Sequence, residues 1–291
     1  MAELRPMEFG EILDGALRLF RRHFGLFLKL SLAVMWLPLA FSLYWRARFF
    51  GFSAATAQQT AAVMQNEIVL FVLWGLAWGV VYGAGMLLLT AGSIRVISDS
   101  YLGRDPQFGD SLQFGVGKMV PLFLVGLGKF LLIVLLGLVC ALVIGVTFSA
   151  GGAALLLVVI EAIGAVWAVI YVGCGYMVTT PVVVLESLSS SFEAFGRSWE
   201  LTRGERGRVF GLMFVAGLIA NALPSFVLTA VGAVVGQVAP GAMFGWTVVA
   251  AVLPVVLTPI VPCVLTLAYY DLRVRREGFD LQLLSEQLGT A

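Results

Sequence analysis

Residues 181–211 read PVVVLESLSSSFEAFGRSWELTRGERGRVFG, which is the longest polar interval between the hydrophobic runs of this chain. Ser190 and Glu193 have the spacing of a helix-capping box, and Gly204 is typical of a helix end. Because Glu193 and Arg197 are four residues apart and apolar side chains recur at helical spacing, the stretch predicts an amphipathic helix. We expect it to lie in the membrane interface, either as a simple connector or as a surface that docks a partner or senses lipid. With Arg197, the candidate cytoplasmic interface contains Phe192, Phe195 and Trp199.

The composition is typical of a membrane protein. Hydrophobic residues make up 60% of the 291 residues, charged residues make up 12%, and the mean hydropathy is +0.99. A soluble core of this size would not need so much apolar surface. The net charge of +1 provides no field that would attract nucleic acid, so we expect membrane lipids as partners and no nucleic acid. The cysteines, Cys140, Cys174 and Cys263, fall inside hydrophobic runs and are interpreted as small apolar residues.

Six hydrophobic runs are long enough, at roughly 20 residues or more each, to cross about 30 Å of hydrocarbon. They predict an all-α, polytopic membrane protein in which six transmembrane helices form three hairpins, with interfacial helices on the cytoplasmic side. The whole chain, 1–291, is predicted to be one integral membrane domain, with an interfacial helix within 1–23 and a cytoplasmic tail at 271–291. The predicted spans are 24–45, 68–90, 120–147, 153–177, 209–236 and 243–270.

The N-terminal segment 7–22 also has the pattern of an interfacial helix. Its acids come early and its arginines come late, as the helix dipole favours. Since the segment begins acidic and leads into a full-length span, it differs from a cleaved secretory signal, and we expect it to be retained. Its apolar stripe consists of Phe9, Ile12, Leu13, Ala16, Leu19 and Phe20.

The distribution of basic residues predicts the orientation of the chain. Most of the 18 Lys and Arg residues lie in the N-terminal segment, in the connections 91–119 and 178–208, and in the tail. The loop 46–67 has only Arg46 and Arg48. By the positive-inside rule, both termini and the two basic connections are predicted to face the cytoplasm.

A short repeat opens three of the spans. A basic residue is followed three residues later by Gly or Pro, and then by Leu and a bulky apolar residue, at 22–27, 118–123 and 208–213. The repeat predicts three copies of a surface helix followed by a membrane hairpin. The alternative is convergence, because any span entered from the cytoplasm tends to begin with a basic residue.

Three segments carry a resemblance to a known family: LRPMEFGEILDGALRLFRRHFGLF at 4–27, VLESLSSSFEAFGRSWELTRGERGRVFG at 184–211 and LTLAYYDLRVRREGFDLQLL at 265–284. Together they resemble the membrane-domain family named after glycerophosphoryl diester phosphodiesterase, a group of six-span bacterial integral membrane proteins. The resemblance covers essentially the whole chain and implies a multi-pass protein of the bacterial cytoplasmic membrane. The family name derives from members that carry a separate soluble phosphodiesterase domain; we expect no such domain here, because the sequence has no room for it, and the resemblance supplies no catalytic motif.

The sequence contains no recognisable catalytic or metal-binding constellation. His23 is the only histidine, which excludes an H-E-x-x-H site or a His-based metal cluster. Its neighbours Arg21 and Arg22 indicate an interfacial residue. The glycine-rich segment 126–129 lacks the spacing of a phosphate-binding loop, and G-x-S-x-G does not occur. We therefore expect no cofactor and no enzymatic activity.

Small residues at a spacing of four indicate close helix packing in two spans. This packing is either internal or between subunits. The candidate packing residues are Gly75, Gly79 and Gly83 in the second span and Gly137, Ala141 and Gly145 in the third. Prolines are expected to kink helices, especially in the sixth span, at Pro38, Pro224, Pro254, Pro259 and Pro262.

Glu161 is the only acid well inside a predicted span, about 15 Å below the outer surface at 1.5 Å per residue. Asn221 is predicted about 18 Å from the cytoplasmic end of its span, which is a similar level if the fourth and fifth spans are neighbours. The pair is the candidate intramembrane polar site, either a structural clasp or a proton- or cation-coupled site. Lys29 and Lys129 are instead expected to place their ammonium groups at the inner headgroup level.

Two classes of function are compatible with the sequence. The first is a non-catalytic scaffold or accessory subunit of a cytoplasmic-membrane complex, bound to a membrane protein partner or to a second copy of the chain. The lack of catalytic motifs, the short outer loops and the cytoplasmic surface helices favour it. The alternative is a transporter or channel for a small solute or lipid, favoured by the repeat, the prolines and the buried ionisable residues.

Overall fold

The computed structural model describes residues 6–49, 61, 62, 65, 67–149, 151 and 155–278. Parts of several predicted segments lie outside the described residues: the first five residues, most of the loop 46–67, the start of the fourth span and most of the tail. Throughout the described part the chain is helical and has no strand. The predicted all-α class is therefore confirmed.

Among the described residues, six helical stretches are long and apolar enough to cross a membrane. This number confirms the prediction of six spans. The helices are α1 Phe9–Arg22, α2 Phe24–Phe49, α3 Ile68–Tyr101, α4 Phe108–Ser149, α5 Leu155–Gly175, α6 Thr179–Leu185, α7 Glu193–Leu201, α8 Arg206–Gly217, α9 Leu223–Val238, α10 Met243–Leu257 and α11 Ile260–Glu277. A π-helical turn, Leu218–Ala222, joins α8 to α9.

The connection predicted at 91–119 is largely helical. Helix α3 continues to Tyr101 and α4 already begins at Phe108, so only 102–107 is a loop. At 1.5 Å per residue, the 42 residues of α4 measure about 63 Å, which is twice the thickness of the hydrocarbon layer. At the polar end of α3, Arg95 pairs with Asp99 at 2.8 Å, an i,i+4 pair that supports the helix.

Proline breaks the last hydrophobic run, as the sequence predicted. Helix α10 ends at Leu257 and α11 begins at Ile260, with Pro259 between them. Pro254 lies inside α10, and Pro224 follows the π-helical turn at the start of α9. A proline lacks the amide hydrogen that a continuous helix needs, which explains the break.

The chain divides into two compact units. In the first unit, which includes 10–119 and 213–264, α2 and α3 form a hairpin around a core of Leu30, Met35, Leu89 and Val255. Helix α1 buries Ile12, Ala16 and Phe20, all members of the apolar stripe predicted from the sequence. Phe20 also packs on Phe27, with ring centroids 5.7 Å apart.

In the first unit, helices approach each other's main chain at Gly92 and Gly115, which are not among the predicted packing residues. A side chain at Gly115 would come within 3.1 Å of the Leu88 carbonyl oxygen, and one at Gly92 within 3.3 Å of the Ser111 carbonyl oxygen. Of the predicted packing residues, Gly75 meets the Trp45 ring. Ala141 is exposed. The remaining glycines have no described atom within 4 Å of the position that a Cβ would take: Gly79, Gly83, Gly137 and Gly145. The stripe of α4, which belongs to the second unit, therefore makes no close contact with the described residues, and its use between subunits stays a prediction.

The second unit includes the described residues 6–9, 120–212 and 265–278. Helices α6 and α7 pack on each other, and α11 contributes a run of buried side chains from Leu265 to Leu272. Helix α7 buries Ala194, Ser198 and Leu201. The helix ends at Leu201, and Gly204 then adopts a φ of 84°, which fits the predicted stop.

Candidate functional site

A group of charged side chains of the second unit surrounds Arg197 of α7. Its Nε donates to Glu186 Oε2 at 3.0 Å, and its Nη1 pairs with Glu277 of α11. The predicted pair of Glu193 with Arg197 is therefore wrong. The predicted capping box is also wrong, because Glu193 accepts a hydrogen bond from Ser189 and Ser190 accepts one from the Phe192 amide.

Helix α11 adds two further side chains to this group. The Tyr269 hydroxyl donates to Glu186 Oε1 at 2.8 Å, and Arg273 Nε donates to Glu277 Oε2 at 3.1 Å. Burial disfavours the charge on Arg197, but the hydrogen bonds and charges of Glu277 and Glu186 outweigh this effect and raise the pKa of the guanidinium. We call Glu186, Arg197, Tyr269, Arg273 and Glu277 the tail cluster.

A second charged group is centred on Asp271, whose side chain is only 2% exposed. One carboxylate oxygen accepts from the Met7 amide at 2.7 Å, and the other pairs with Arg275 at 3.0 Å and Arg208 at 3.2 Å. Both arginines also donate to the Met7 carbonyl oxygen. This Asp271 cluster thus joins three segments that are distant in sequence: the N-terminal segment, the start of α8 and the last helix.

Aromatic side chains of α5, of the turn that follows it and of α7 form a third feature, which we call the aromatic belt: Tyr171, Tyr176, Phe195 and Trp199. The Trp199 ring lies directly over Gly175, where a Cβ would come within 2.5 Å of it. The hydroxyls of Ser198 and Thr202 donate to the Gly175 carbonyl oxygen and fix this approach. Only glycine fits beneath the ring, because any side chain would displace it. Ring centroids of successive members of the belt lie 5.2–6.1 Å apart.

Arg206, the first residue of α8, stacks against this belt. Its guanidinium carbon lies 3.7 Å from the centre of the Trp199 ring and 4.0 Å from that of Tyr171. Its Nε and Nη1 atoms are buried and have no hydrogen-bond partner among the described residues. No carboxylate of the described part of the chain forms an ion pair with it. Arg206 is thus held by aromatic faces, whereas Arg197 is held by acids.

The candidate interface residues are distributed over these features. Phe195 and Trp199 belong to the aromatic belt, and the Phe195 ring also covers Gly128. Phe192 is 58% exposed and stacks on Phe195 with centroids 6.3 Å apart. Arg197 points into the tail cluster. Phe192 is therefore the member of the predicted interface that is left most accessible to a partner.

The intramembrane lysines make no ion pair with an acid in the part of the chain that the structure describes. Lys129 Nζ donates to the Thr180 hydroxyl at 3.2 Å, and Lys29 is exposed. Both observations are compatible with the predicted headgroup position, which itself stays a prediction.

Glu161 finds a different partner from the one expected. Its Oε1 accepts from the Thr147 hydroxyl at 2.8 Å, and its Oε2 is buried with no hydrogen-bond partner among the described residues. Glu161 lies in α5, whose described part begins at Leu155, and its depth of about 15 Å below the outer surface stays a prediction. Asn221 lies in the π-helical turn of the first unit and is exposed. A pairing of Glu161 with Asn221 stays a prediction.

The first unit contains a cavity of about 700 Å³ between α2, α9 and α10. The hydroxyls of Ser42, Thr229 and Thr247 line it, but each donates to a carbonyl oxygen of its own helix. The wall is consequently apolar, with Arg46 as a charged lining residue. Its other lining residues include the rings of Trp45 and Trp246.

His23 lies at the junction of α1 and α2, and its Nε2 is 2.8 Å from the Ser100 hydroxyl. Burial and the charge of Arg22 lower the pKa of the imidazole, against an opposing effect of Asp105. No group of three or more His, Cys, Asp or Glu side chains in the described residues could hold a metal ion.

The comparisons with protein-family models, curated proteins and solved structures find no match to the chain. The resemblance to the membrane-domain family named after glycerophosphoryl diester phosphodiesterase therefore stays a prediction.

The sequence analysis missed the tail and Asp271 clusters, although a local signal exists. Tyr269, Arg273 and Glu277 recur every four residues on α11, and Asp271 and Arg275 have the same spacing. This pattern predicts charged stripes on a helix. It does not identify Glu186 or Met7, which reach the stripes only through tertiary folding.

Proposed function

We propose that the chain is a non-catalytic scaffold or accessory subunit of a complex in the bacterial cytoplasmic membrane. One observation carries the proposal: within the tail cluster, and likewise within the Asp271 cluster, the charged groups pair with each other and so connect distant chain segments. Charges arranged in this way stabilise a rigid surface, whereas a catalytic acid or base needs access to a substrate. The exposed Phe192 next to the aromatic belt is the proposed contact for a membrane protein partner or a second copy of the chain.

The orientation is part of this proposal. The positive-inside rule supports a cytoplasmic position for both termini and for the connection that contains α7. Single cysteines introduced at Ser190 and Ala57 should react with an impermeant thiol reagent from opposite sides of the membrane. Reaction of both from the same side would reject the proposed arrangement. Ala57 lies outside the described residues, but its labelling depends only on the side that it faces.

Co-purification tests the scaffold function. The full chain would be isolated from its native membrane in a mild detergent, and bound proteins would be quantified by mass spectrometry. We expect a partner at constant stoichiometry that Phe192→Ala weakens severalfold, because an exposed aromatic anchor is lost. Phe148→Ala is the matched control, since Phe148, near the C-terminal end of α4, is similarly exposed. A monomeric, partner-free protein in the wild type and in both variants would contradict the proposal.

The second candidate is a transporter or channel for a small solute or lipid. The cavity of the first unit favours it, because a largely apolar pocket of about 700 Å³ has the size of a ligand site. The adjoining chain contains a π-helical turn, and such turns often occur at functional sites. This function predicts uptake or release of solute by vesicles that contain the purified chain alone.

Glu161 distinguishes a coupled transporter from a structural clasp. Glu161→Gln keeps a hydrogen-bond acceptor for Thr147 but removes the titrating carboxyl group. A proton- or cation-coupled transporter should lose the dependence of transport on the ion gradient at least tenfold. An unchanged dependence would assign Glu161 to the clasp alone.

A further inference from the structure

We propose that Arg206 binds the phosphate of an anionic phospholipid. The guanidinium lies against the Trp199 and Tyr171 rings, at 3.7 Å and 4.0 Å from their centroids. Stacking occupies the faces of this planar group, so a hydrogen-bond acceptor can reach its N–H donors only in the plane of the guanidinium. Because Nε and Nη1 find no acceptor among the described residues, the position has unused directional donors.

The energetics favour an anion at this place. Removing a cation from water costs several kcal/mol, whereas cation–π stacking returns about 2 kcal/mol when the pair is desolvated. Arg197 offsets the same cost with Glu186 and Glu277, but Arg206 has no acid among the described residues. A phosphate fits the guanidinium well, because its oxygens accept two parallel N–H bonds at once.

The position in the chain indicates that this phosphate belongs to a lipid. Arg206 is the first residue of the membrane-spanning stretch Arg206–Val238. Tyr171 stacks on Trp167, which is 64% exposed on a helix that also spans the membrane. Trp and Tyr rings concentrate at the level of the headgroups. A cation set in such a belt meets phospholipid phosphates at a far higher local concentration than free phosphate.

Binding can be measured by native mass spectrometry of the full chain, purified without lipid and titrated with phosphatidylglycerol. We expect Arg206→Gln to weaken the binding of the first phosphatidylglycerol at least tenfold, and Arg206→Lys to weaken it about threefold, since lysine keeps the charge but lacks the bidentate fork. Arg203→Gln is the matched control and should bind as the wild type does. Arg203 is exposed and lies in the same connection. Phosphatidylcholine, which has no net charge, should bind more weakly and equally to all variants.

Three outcomes would overturn the proposal. Arg206→Gln could bind phosphatidylglycerol like the wild type, or Arg203→Gln could lose as much affinity, which would indicate non-specific charge attraction. Displacement of the lipid by millimolar inorganic phosphate would assign the site to a free anion. If Arg206→Gln does not fold, the comparison of Arg206→Lys with Arg203→Lys decides, because both keep the net charge. The proposal holds for a scaffold and for a transporter alike, so its failure would not affect the proposed function.

Discussion

Arg197 and Arg206 lie nine residues apart in the same connection and are stabilised in opposite ways. Arg197 is enclosed by the carboxylates of Glu186 and Glu277. Arg206 is covered by the rings of Trp199 and Tyr171 and has no acid partner among the described residues. The difference separates charges that hold the second unit together from a charge that can serve a ligand. It also means that the basic residues of one polar connection cannot be interpreted as a group.

The strongest test of the structural role is Asp271→Asn. The change leaves Arg208 and Arg275 close together without their shared carboxylate, in an almost fully buried position. Breaking a buried ion pair on one side costs about 3–5 kcal/mol, so we expect a loss of this size in the free energy of unfolding. It can be measured by reversible unfolding in detergent micelles. Glu200→Gln, at an exposed residue of α7, is the control and should change stability by less than about 0.5 kcal/mol.

Arg197→Gln should have the next largest effect. It leaves Glu186 and Glu277 without their shared cation, although the Arg197 side chain is 29% exposed and water can partly replace it. Hydrogen bonds to charged groups contribute about 1.5–3 kcal/mol, and we expect a loss of about 2 kcal/mol. A loss below about 0.5 kcal/mol in the same unfolding assay would show that the tail cluster does not stabilise the second unit.

Arg206→Gln should change the stability of the lipid-free protein by less than about 1 kcal/mol. The lost cation–π contact is offset by the relief of burying a charge that lacks an acid. Arg197→Gln should therefore reduce stability more than Arg206→Gln does, whereas Arg206→Gln should reduce lipid affinity more. A loss at Arg206 as large as that at Arg197 would remove the distinction between the two arginines.

The sequence predicted those features that depend on local pattern. The six apolar runs, the buried stripe of α1 and the break at Pro259 all follow from composition and spacing over a few residues. The partner of Arg197 could not be predicted in this way. Glu193 had the right spacing on the helix, but α11 supplied Glu277 and a preceding turn supplied Glu186, and neither distance is local.

The same limit explains the small-residue stripes. Their spacing indicates where a helix could approach closely, but the approach also needs a partner helix at that level. In the first unit the close contacts occur at Gly92 and Gly115 instead, where the main chains of α3 and α4 meet. Aromatic stacking on Arg206 was equally hidden, since Tyr171 and Arg206 are 35 residues apart.

His23 provides the mildest test, because it is a basic group that can lose its charge. Burial and the charge of Arg22 lower the pKa of the folded imidazole below its ordinary value of about 6.5. Between the folded and unfolded pKa values, the unfolded chain binds more protons than the folded chain. By linkage, stability therefore rises with pH in this window and falls as the pH drops below about 6.5.

We expect the free energy of unfolding to decrease between about pH 7.5 and pH 5.5, and His23→Gln to reduce that decrease. Glutamine can keep a hydrogen bond to the Ser100 hydroxyl without titrating, so the comparison isolates the proton. The free energy of unfolding of the Arg197→Gln variant should change with pH as steeply as that of the wild type, because a guanidinium stays charged throughout this range. An identical slope for His23→Gln and the wild type would mean that the half-buried imidazole does not contribute to the pH dependence of stability. The charged imidazole would then be tolerated at this turn by its surroundings, as the guanidinium of Arg206 is, and not by loss of its proton.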